Sequence, residues 1–166
     1  MNRKLATVVT LGTMLAAGSA IAGKVNMPKE GSFEFDYCAV GHGKGLSAGD
    51  KYVVSHYQNV ANVTTNPPGK PFDRTGSTCF GTYANVNGRQ WDYGMCELTD
   101  EDGDKWWLEY RGNAEGTGGT YTAAYGNGKY EGMIVRGEYR LDFWPTASKD
   151  VAFQGCFHNK GTYKLK

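Results

Sequence analysis

The residues of this chain most suited to chemistry are one carboxylate among aromatic side chains and four cysteines. Glu97 follows Trp91, Tyr93 and Met95 at alternate positions of one segment. Enclosure by aromatic rings removes hydration from a carboxylate, which raises its pKa and suits it to act as a general acid or base. The alternative is that Glu97 lies in water at the mouth of the fold, because an acidic turn follows closely. The sequence leaves both interpretations open.

The remaining polar residues give weaker signals. His42, His56 and His158 lack the spacing of a metal site, so we predict no metal and no cofactor. The acidic run 99–104 differs from a calcium-binding EF-hand loop, since Lys105 stands where that loop has glycine. The glycine-rich segments 116–119 and 126–129 are not followed by the helix that a phosphate site needs. We interpret all three segments as turns.

The first 22 residues have the pattern of a secretory signal. Arg3 and Lys4 precede a short apolar stretch, and Ala20-Ile21-Ala22 forms a small-x-small cleavage site. We therefore expect a signal peptide at 1–22 and a single domain at 23–166, located in the periplasm or secreted. A permanent N-terminal anchor is the alternative, but the stretch is short for a bilayer span. We expect no membrane span in the mature chain.

The charge of the chain argues against nucleic acid as a partner. It has 18 Lys and Arg against 17 Asp and Glu, and loss of Arg3 and Lys4 would leave a net charge of −1. A near-neutral surface with interspersed signs lacks the basic footprint that nucleic acids or anionic membranes require. The sequence does not determine the oligomeric state.

Short segments rich in Val, Tyr, Phe, Trp and Thr recur after residue 30, each bounded by Gly, Asn, Asp or Pro. This pattern is typical of β-strands, whereas no segment keeps a helical period over three turns. The predicted strands are 31–40, 51–63, 77–86, 89–99, 105–112, 119–124, 132–143 and 151–163. About eight antiparallel strands with short links predict an all-β barrel or sandwich, and a closed barrel leaves no exposed edges.

The Asn-Gly pair at 87–88 predicts a two-residue type I′ turn, because both residues must accept positive φ. This turn pairs Val86 with Arg89 and places Cys79 directly opposite Cys96. The two cysteines then occupy a non-hydrogen-bonded pair, whose geometry suits a disulfide. A bulge between 79 and 86 would shift the register by one residue and invalidate this deduction.

An even number of cysteines in an exported chain indicates two disulfides, with buried free thiols as the alternative. If Cys79 pairs with Cys96, the second disulfide joins Cys38 to Cys156 by elimination. This bridge would connect the first strand to the last, which are neighbours in a closed barrel.

A second hairpin is expected to turn at Asp102-Gly103, and this register pairs Cys96 with Glu109 and Met95 with Tyr110. The two hairpins together predict which side chains share a face, because alternate residues of a strand point to opposite sides. One face carries, besides Glu97, large apolar and aromatic side chains: Phe80, Trp91, Tyr93, Met95, Trp106, Leu108 and Tyr110. The other carries Cys79, Tyr83, Asp92, Cys96, Leu98, Trp107, Glu109 and Arg111.

The first of these faces is more apolar, and we expect it to line the interior. It either fills the barrel as an ordinary core or encloses one small, mostly apolar or aromatic ligand.

The glycine-rich stretch 116–139 resembles a recurrent stretch of the allene-oxide-cyclase-like barrels. The similarity lies in Gly-Thr-Gly-Gly at 116–119, Gly-Asn-Gly-Lys-Tyr-Glu-Gly at 126–132 and Gly-Glu-Tyr at 137–139, and the Asp-Gly-Asp turn at 102–104 is also similar. This superfamily includes dirigent proteins, plant cyclases and bacterial spirocyclases. The resemblance implies a barrel that contains a cavity. This chain would then be an exported bacterial member of the superfamily.

The resemblance covers about a quarter of the chain and carries over no catalytic residue. Asn127 stands where threonine is common, residues 133–136 differ, and the four cysteines are not part of the pattern. Lipocalin-like and avidin-like barrels are the nearest alternatives, although the Gly-x-Trp start of a lipocalin is absent.

Three functions remain as hypotheses. The first is a binding module for a small apolar or aromatic ligand. The second is a cyclase or isomerase-type enzyme that uses a cavity carboxylate, with Glu97 as the candidate. The third is a structural or partner-binding domain with a filled barrel, which a measured cavity would exclude.

Overall fold

Eight antiparallel strands close into a barrel in the computed structural model, which describes residues 27–49, 51–65, 67–143 and 153–166. Each strand pairs with the next in the chain, and the last pairs with the first. The strands are β1 (Glu30–Ser47), β2 (Tyr52–Thr64), β3 (Gly76–Val86), β4 (Arg89–Thr99), β5 (Lys105–Gly112), β6 (Gly118–Gly126), β7 (Ile134–Phe143) and β8 (Phe153–Lys164). The predicted all-β class and closed eight-stranded barrel are confirmed.

Some of the predictions fall outside this description. The proposed signal peptide at 1–22 and the first two residues of the last predicted strand, 151–152, lie outside the described residues. Within the described part, none of the helices has the length and hydrophobicity that a membrane crossing would require.

The β3–β4 hairpin and both disulfides are as predicted. Asn87 and Gly88 have φ of 55° and 84°, as a type I′ turn requires. Cys79 is paired with Cys96 across this hairpin and bonded to it. Cys38 on β1 is likewise paired with Cys156 on β8 and forms a disulfide with it. The first and last strands of the barrel are therefore joined covalently.

The predicted β4–β5 register is wrong by one residue. Cys96 pairs with Leu108, and Met95 pairs with Glu109. The cause is the turn, which has three residues between Asp100 and Asp104 rather than two. Oδ1 of Asp100 accepts the amides of Asp102 and Asp104, at 2.9 and 3.1 Å. Asp-Gly at 102–103 therefore signals a turn but does not fix its length.

The one-residue shift reverses the predicted faces of β3 and β4. Cys96 now shares its face with Leu108, and Leu108 points inward, so Cys79, Asp92 and Cys96 face the interior as well. Four side chains expected inside are instead exposed on the outer wall: Phe80, Trp91, Tyr93 and Met95. On β5 the prediction is right, because Trp106, Leu108 and Tyr110 are all buried.

One end of the barrel is closed by aromatic packing. Phe72, from the loop between β2 and β3, enters the barrel and its ring centre lies 4.9 Å from that of Trp106. Tyr130 and Tyr163 pack against Phe72 from other sides. Phe72 adopts a φ of 69°, which is uncommon for a bulky residue. This conformation is held by the surrounding loop.

Asp73 organises that loop. Its carboxylate accepts the amide of Thr65 at 3.0 Å and that of Gly69 at 2.7 Å. The hydroxyl of Thr75 donates to the carbonyl of Phe72 at 2.7 Å. Burial opposes ionisation of the Asp73 carboxyl, yet the hydrogen bonds from Gly69 and Thr65 hold its pKa below the usual value.

The glycine-rich motif at 126–130 closes the same end of the barrel. The amide of Lys105 donates to Oδ1 of Asn127 at 2.8 Å, and the amide of Lys129 donates to Asp104 at 3.1 Å. The Lys129 ammonium also pairs with Asp100 at 2.6 Å. Two of the sequence segments that carry the superfamily resemblance therefore bind each other, which gives this motif a structural role.

Candidate ligand-binding cavity

A cavity of about 710 Å³ occupies the barrel above the closed end. Its floor is apolar and includes Phe35, Val63, Leu98 and Leu108. It extends to the end of the barrel where the β3–β4 turn lies, and residues such as Gln90 and Asn113 line that part. A filled interior, which the third hypothesis needs, is not compatible with a space of this size.

Pairs of glycines on adjacent strands make room for inward tyrosines. Tyr57 on β2, Gly81 on β3, Gly94 on β4 and Tyr110 on β5 form one continuous row of paired residues. A methyl group on either glycine would collide with the Tyr110 hydroxyl. The rings of Tyr57 and Tyr110 therefore extend toward each other across the backbone of the two glycines.

The same arrangement recurs on the other side of the barrel. The row continues from Tyr110 through Tyr121, Gly137 and Gly161 to Phe33. Tyr121 and Phe33 approach each other over this second glycine pair, with ring centres 6.4 Å apart. Glycines in a strand often mark such close approaches, because they leave the space that a side chain would fill.

A polar cluster forms where the first two rings meet. The Tyr57 hydroxyl donates to Oδ1 of Asp92 at 2.6 Å, and the hydroxyls of Tyr57 and Tyr110 are 2.5 Å apart. Asp92 is half-buried on the cavity wall, and Gly112 of β5 lies so close beside it that an added methyl group would collide with Cβ of Asp92. We refer to Tyr57, Asp92 and Tyr110 as the polar cluster.

The polar cluster is electrostatically suited to holding a proton. Burial raises the pKa of the Asp92 carboxyl, and the hydrogen bonds from Tyr57 and from the Tyr93 amide only partly oppose this. Burial also raises the pKa of the Tyr57 and Tyr110 hydroxyls, and the nearby Asp92 charge adds to the effect. Both tyrosines therefore stay protonated and serve as hydrogen-bond donors at neutral pH.

An aromatic belt continues from this cluster around the cavity. Tyr110 meets Tyr139 edge to face at 6.3 Å, and Tyr139 meets Phe157 in the same manner at 6.1 Å. Phe157 stacks on Tyr37 with ring centres 5.0 Å apart. The buried Tyr121 hydroxyl and Oδ1 of Asn59, on residues that line the same cavity, have no hydrogen-bond partner among the described residues.

The predicted site residues are distributed over three places. Leu108 and Tyr110 line the cavity, whereas Trp106 lies beneath it in the closed end. Trp91 contributes to the rim of the cavity from the outer wall. Those that point away from the cavity are Phe80, Tyr93 and Met95.

Glu97 does not lie in the cavity. It lies on the outer wall and forms an ion pair with Lys105 at 2.6 Å. The enclosure on which its proposed catalytic role depended is therefore not present. Of the four cysteines, Cys79 and Cys96 form part of the cavity wall, while Cys38 and Cys156 pair on the outside of β1 and β8.

The carboxylate of the cavity is Asp92, which the face assignment had placed outside. The tyrosines Tyr37, Tyr57 and Tyr139 were not selected from the sequence either. One signal that could have indicated them is the presence of glycines within the strands, at 43 and 45 on β1, 81 on β3, 94 on β4 and 137 on β7. Inward glycines imply neighbouring side chains that need space.

The structure also brings together Asp36, Asp142 and His158 on the outer wall. Both ring nitrogens of His158 already contact carboxylates, with Asp36 at 2.8 Å and Glu34 at 3.1 Å. Arg140 donates to Asp142 at 3.0 Å. Mutual pairing accounts for this group, so it does not indicate a metal site.

Two solved structures resemble this barrel. One is the pterocarpan synthase dirigent protein PsPTS1, with a TM-score of 0.54, 9% identity, and coverage of 82% of this chain and 96% of that one. The other is the pterocarpan synthase dirigent protein GePTS1, with a TM-score of 0.51, 7% identity, and coverage of 85% and 89%. No family model and no curated protein matches the chain. The barrel is therefore dirigent-like in fold, in agreement with the resemblance in its sequence.

Proposed function

We propose that this barrel is exported and binds one small, mostly apolar or aromatic molecule in its cavity. The observation that carries the proposal is the cavity of about 710 Å³, with an apolar floor and a polar cluster on one wall. Ligand sites in proteins have this composition and fall within about 300–1,000 Å³. The floor would hold the apolar body of the guest.

The polar cluster would orient the guest. The polar cluster offers the Asp92 carboxylate and two tyrosine hydroxyls on one wall, and the aromatic belt offers ring faces and edges. A guest that carries one hydroxyl or amine and an otherwise apolar skeleton matches both features. The structurally similar proteins are named as synthases of pterocarpans, and we extend from them only the idea that such a barrel handles a small organic molecule.

Export is part of the same proposal. Residues 1–22 have the pattern of a signal peptide, and 23–166 would form the mature single domain. Two disulfides are stable in an oxidising compartment such as the periplasm or the extracellular space. N-terminal sequencing of the protein recovered from its host would test the cleavage site, and a mature chain that begins at Met1 would contradict it.

The binding proposal can be tested with the neutral fluorescent probe N-phenyl-1-naphthylamine. Ser55 lines the cavity and points inward, so Ser55→Trp should place an indole ring in the space that a guest would occupy. The matched control is Thr82→Trp, at an exposed position one residue from the partner of Ser55. We expect saturable binding at one site, retained in the control and weakened at least about tenfold in Ser55→Trp. Equal binding by both variants would contradict the proposal.

A second candidate function is acid–base catalysis by a cyclase or isomerase-type enzyme. The specific observation in its favour is that Asp92 is hydrogen-bonded to Tyr57 and has a raised pKa in an enclosed site. Asp92 replaces Glu97 as the candidate for this role. Incubation of host extracts with the protein should convert a bound compound, and Asp92→Asn should bind it without conversion. Equal conversion by the variant would exclude catalysis by Asp92.

A further inference from the structure

The cavity contains one acidic side chain, and no basic side chain of the described residues forms an ion pair with it. Asp92 is this acid, and among the described residues Lys44 is the only other charged one that lines the cavity. Lys44 is exposed on β1, where it is paired with the exposed His56 of β2, and it has no part in the pKa shift of Asp92. Charged groups that leave water are normally paired with an opposite charge. The half-buried Asp92 lacks such a partner within the cavity.

The hydrogen atoms of the polar cluster are used within the cluster itself. The Tyr57 hydroxyl donates its one hydrogen atom to Asp92, so the hydrogen bond between Tyr57 and Tyr110 uses the hydrogen atom of Tyr110. The amide of Tyr93 also donates to Asp92. An ionised carboxylate can accept about four hydrogen bonds, so acceptor capacity remains on Asp92 and on the Tyr110 oxygen. The polar cluster therefore suits a guest that donates hydrogen bonds, such as an amine.

The rings around Asp92 favour a positive charge in the guest. Tyr37, Tyr110, Tyr139 and Phe157 of the aromatic belt all line the cavity. Burial, and to a smaller extent the Asp92 charge, raise the pKa of the Tyr37 and Tyr139 hydroxyls, so Asp92 lies within electrostatic range of both. Aromatic ring faces attract a cation within about 6 Å of the ring centre, most strongly where water is excluded. A cation beside Asp92 would therefore exchange water for a carboxylate and aromatic rings.

We propose that the guest of the cavity is a protonated amine with an apolar body, and that its ammonium group binds the Asp92 carboxylate. This inference rests on the proposed function, because it names the class of molecule that the cavity holds. A neutral alcohol could donate to the same acceptors, but it would leave the Asp92 charge without a counter-charge. An anionic guest would be repelled by Asp92. Apolar residues of the floor such as Leu98 and Leu108 would hold the body of the guest.

Isothermal titration calorimetry of the disulfide-bonded protein at about pH 7 tests this inference with three probes. They are 1-naphthylmethylamine, 1-naphthylmethanol and 1-naphthoate, which share one ring system and are cationic, neutral and anionic at this pH. We expect the wild-type protein to bind the amine at least about tenfold more tightly than the alcohol, and to bind the naphthoate least tightly. The quantity that decides is the ratio of the amine affinity to the alcohol affinity.

Two variants compare a carboxylate in the cavity with one outside it. Asp92→Asn should lower the affinity ratio at least about fivefold, because it removes the counter-charge. Glu97→Gln removes the same charge from the outer wall, where Glu97 pairs with Lys105, and should leave the ratio unchanged. Thermal unfolding checks that each variant folds. If Asp92→Asn does not fold, Ser55→Lys places an ammonium group on the same row of paired residues as Asp92 and should also lower the ratio.

The outcomes separate this inference from the proposed function. A wild-type protein that binds the alcohol as tightly as the amine overturns the inference and leaves the binding proposal standing. Binding of N-phenyl-1-naphthylamine but of none of the three probes has the same meaning, whereas binding of none of the four compounds overturns both. An equal fall of the affinity ratio in Asp92→Asn and Glu97→Gln also overturns the inference, because the preference would then follow the net charge of the protein.

Discussion

The ring of Tyr110 lies across Gly94, its direct partner on the adjacent strand. Tyr57 has the same relationship to Gly81, and the two glycines are themselves paired. Both tyrosine hydroxyls consequently meet above bare backbone, within reach of Asp92. The polar cluster of the cavity thus depends on two residues that have no side chain.

The first prediction concerns this dependence on glycine. In Gly94→Ala, the new methyl group would collide with the Tyr110 hydroxyl and with the carbonyl of Phe80. We expect a loss of about 1–3 kcal/mol in the free energy of unfolding, measured by urea denaturation. Gly76→Ala is the control, because the nearest atoms to its added methyl are 3.8 Å away. A loss in Gly76→Ala as large as that in Gly94→Ala would show that the collision is not the cause.

The second prediction concerns the pH dependence of stability. Because the pKa of Asp92 is raised in the folded state, that state keeps the Asp92 proton at pH values where the unfolded chain has lost it. The contribution of Asp92 to stability is therefore most favourable below its unfolded pKa of about 3.9, and it declines as pH rises through the folded value.

Asp92→Asn removes this titration while it keeps an oxygen that can accept from Tyr57. The free energy of unfolding of the wild type, minus that of Asp92→Asn, should fall as pH increases from about 4 and then level off. The subtraction cancels the opposite contribution of groups such as Asp73, whose pKa is lowered. A difference that rises over this window would mean that the carboxylate is stabilised in the fold.

The third prediction compares the two disulfides. Cys38–Cys156 spans 118 residues and Cys79–Cys96 spans 17, so the first constrains the unfolded chain more. Replacing both cysteines of a bridge by alanine should cost about 3 kcal/mol for the short loop and about 4–5 kcal/mol for the long one. Urea denaturation of the two double variants measures both. A larger cost for the short loop would show that packing of Cys79 and Cys96 in the cavity wall outweighs chain entropy.

The strand pattern of this chain predicted its barrel, since the signals for strands and turns are local. The type I′ turn at 87–88 fixed one register and with it both disulfides. The predicted length of the β4–β5 turn was one residue too short, because the Asp100 side chain supports a three-residue loop. Turn residues are recognisable from sequence, whereas the length of a loop depends on hydrogen bonds that form only in the folded chain.

The prediction of which face of β3 and β4 lies inside the barrel was wrong for a physical reason. The usual expectation is that the more apolar face of a strand lies inside. On β3 and β4 the inner face carries glycines, cysteines and Asp92, because it borders a cavity rather than a packed core. The outer face carries Phe80 and Trp91, which are about half exposed on the outer wall. Hydrophobicity alone therefore does not determine which face of a strand lies inside a barrel that holds a cavity.

Native mass spectrometry of the protein purified from its own host tests the central claim most directly. We expect the wild-type chain to carry a small noncovalent adduct, whose mass would identify the class of guest, and we expect Ser55→Trp to lack it. A wild-type chain with the mass of the disulfide-bonded polypeptide alone, which also gains no mass from N-phenyl-1-naphthylamine, would contradict a ligand-binding barrel.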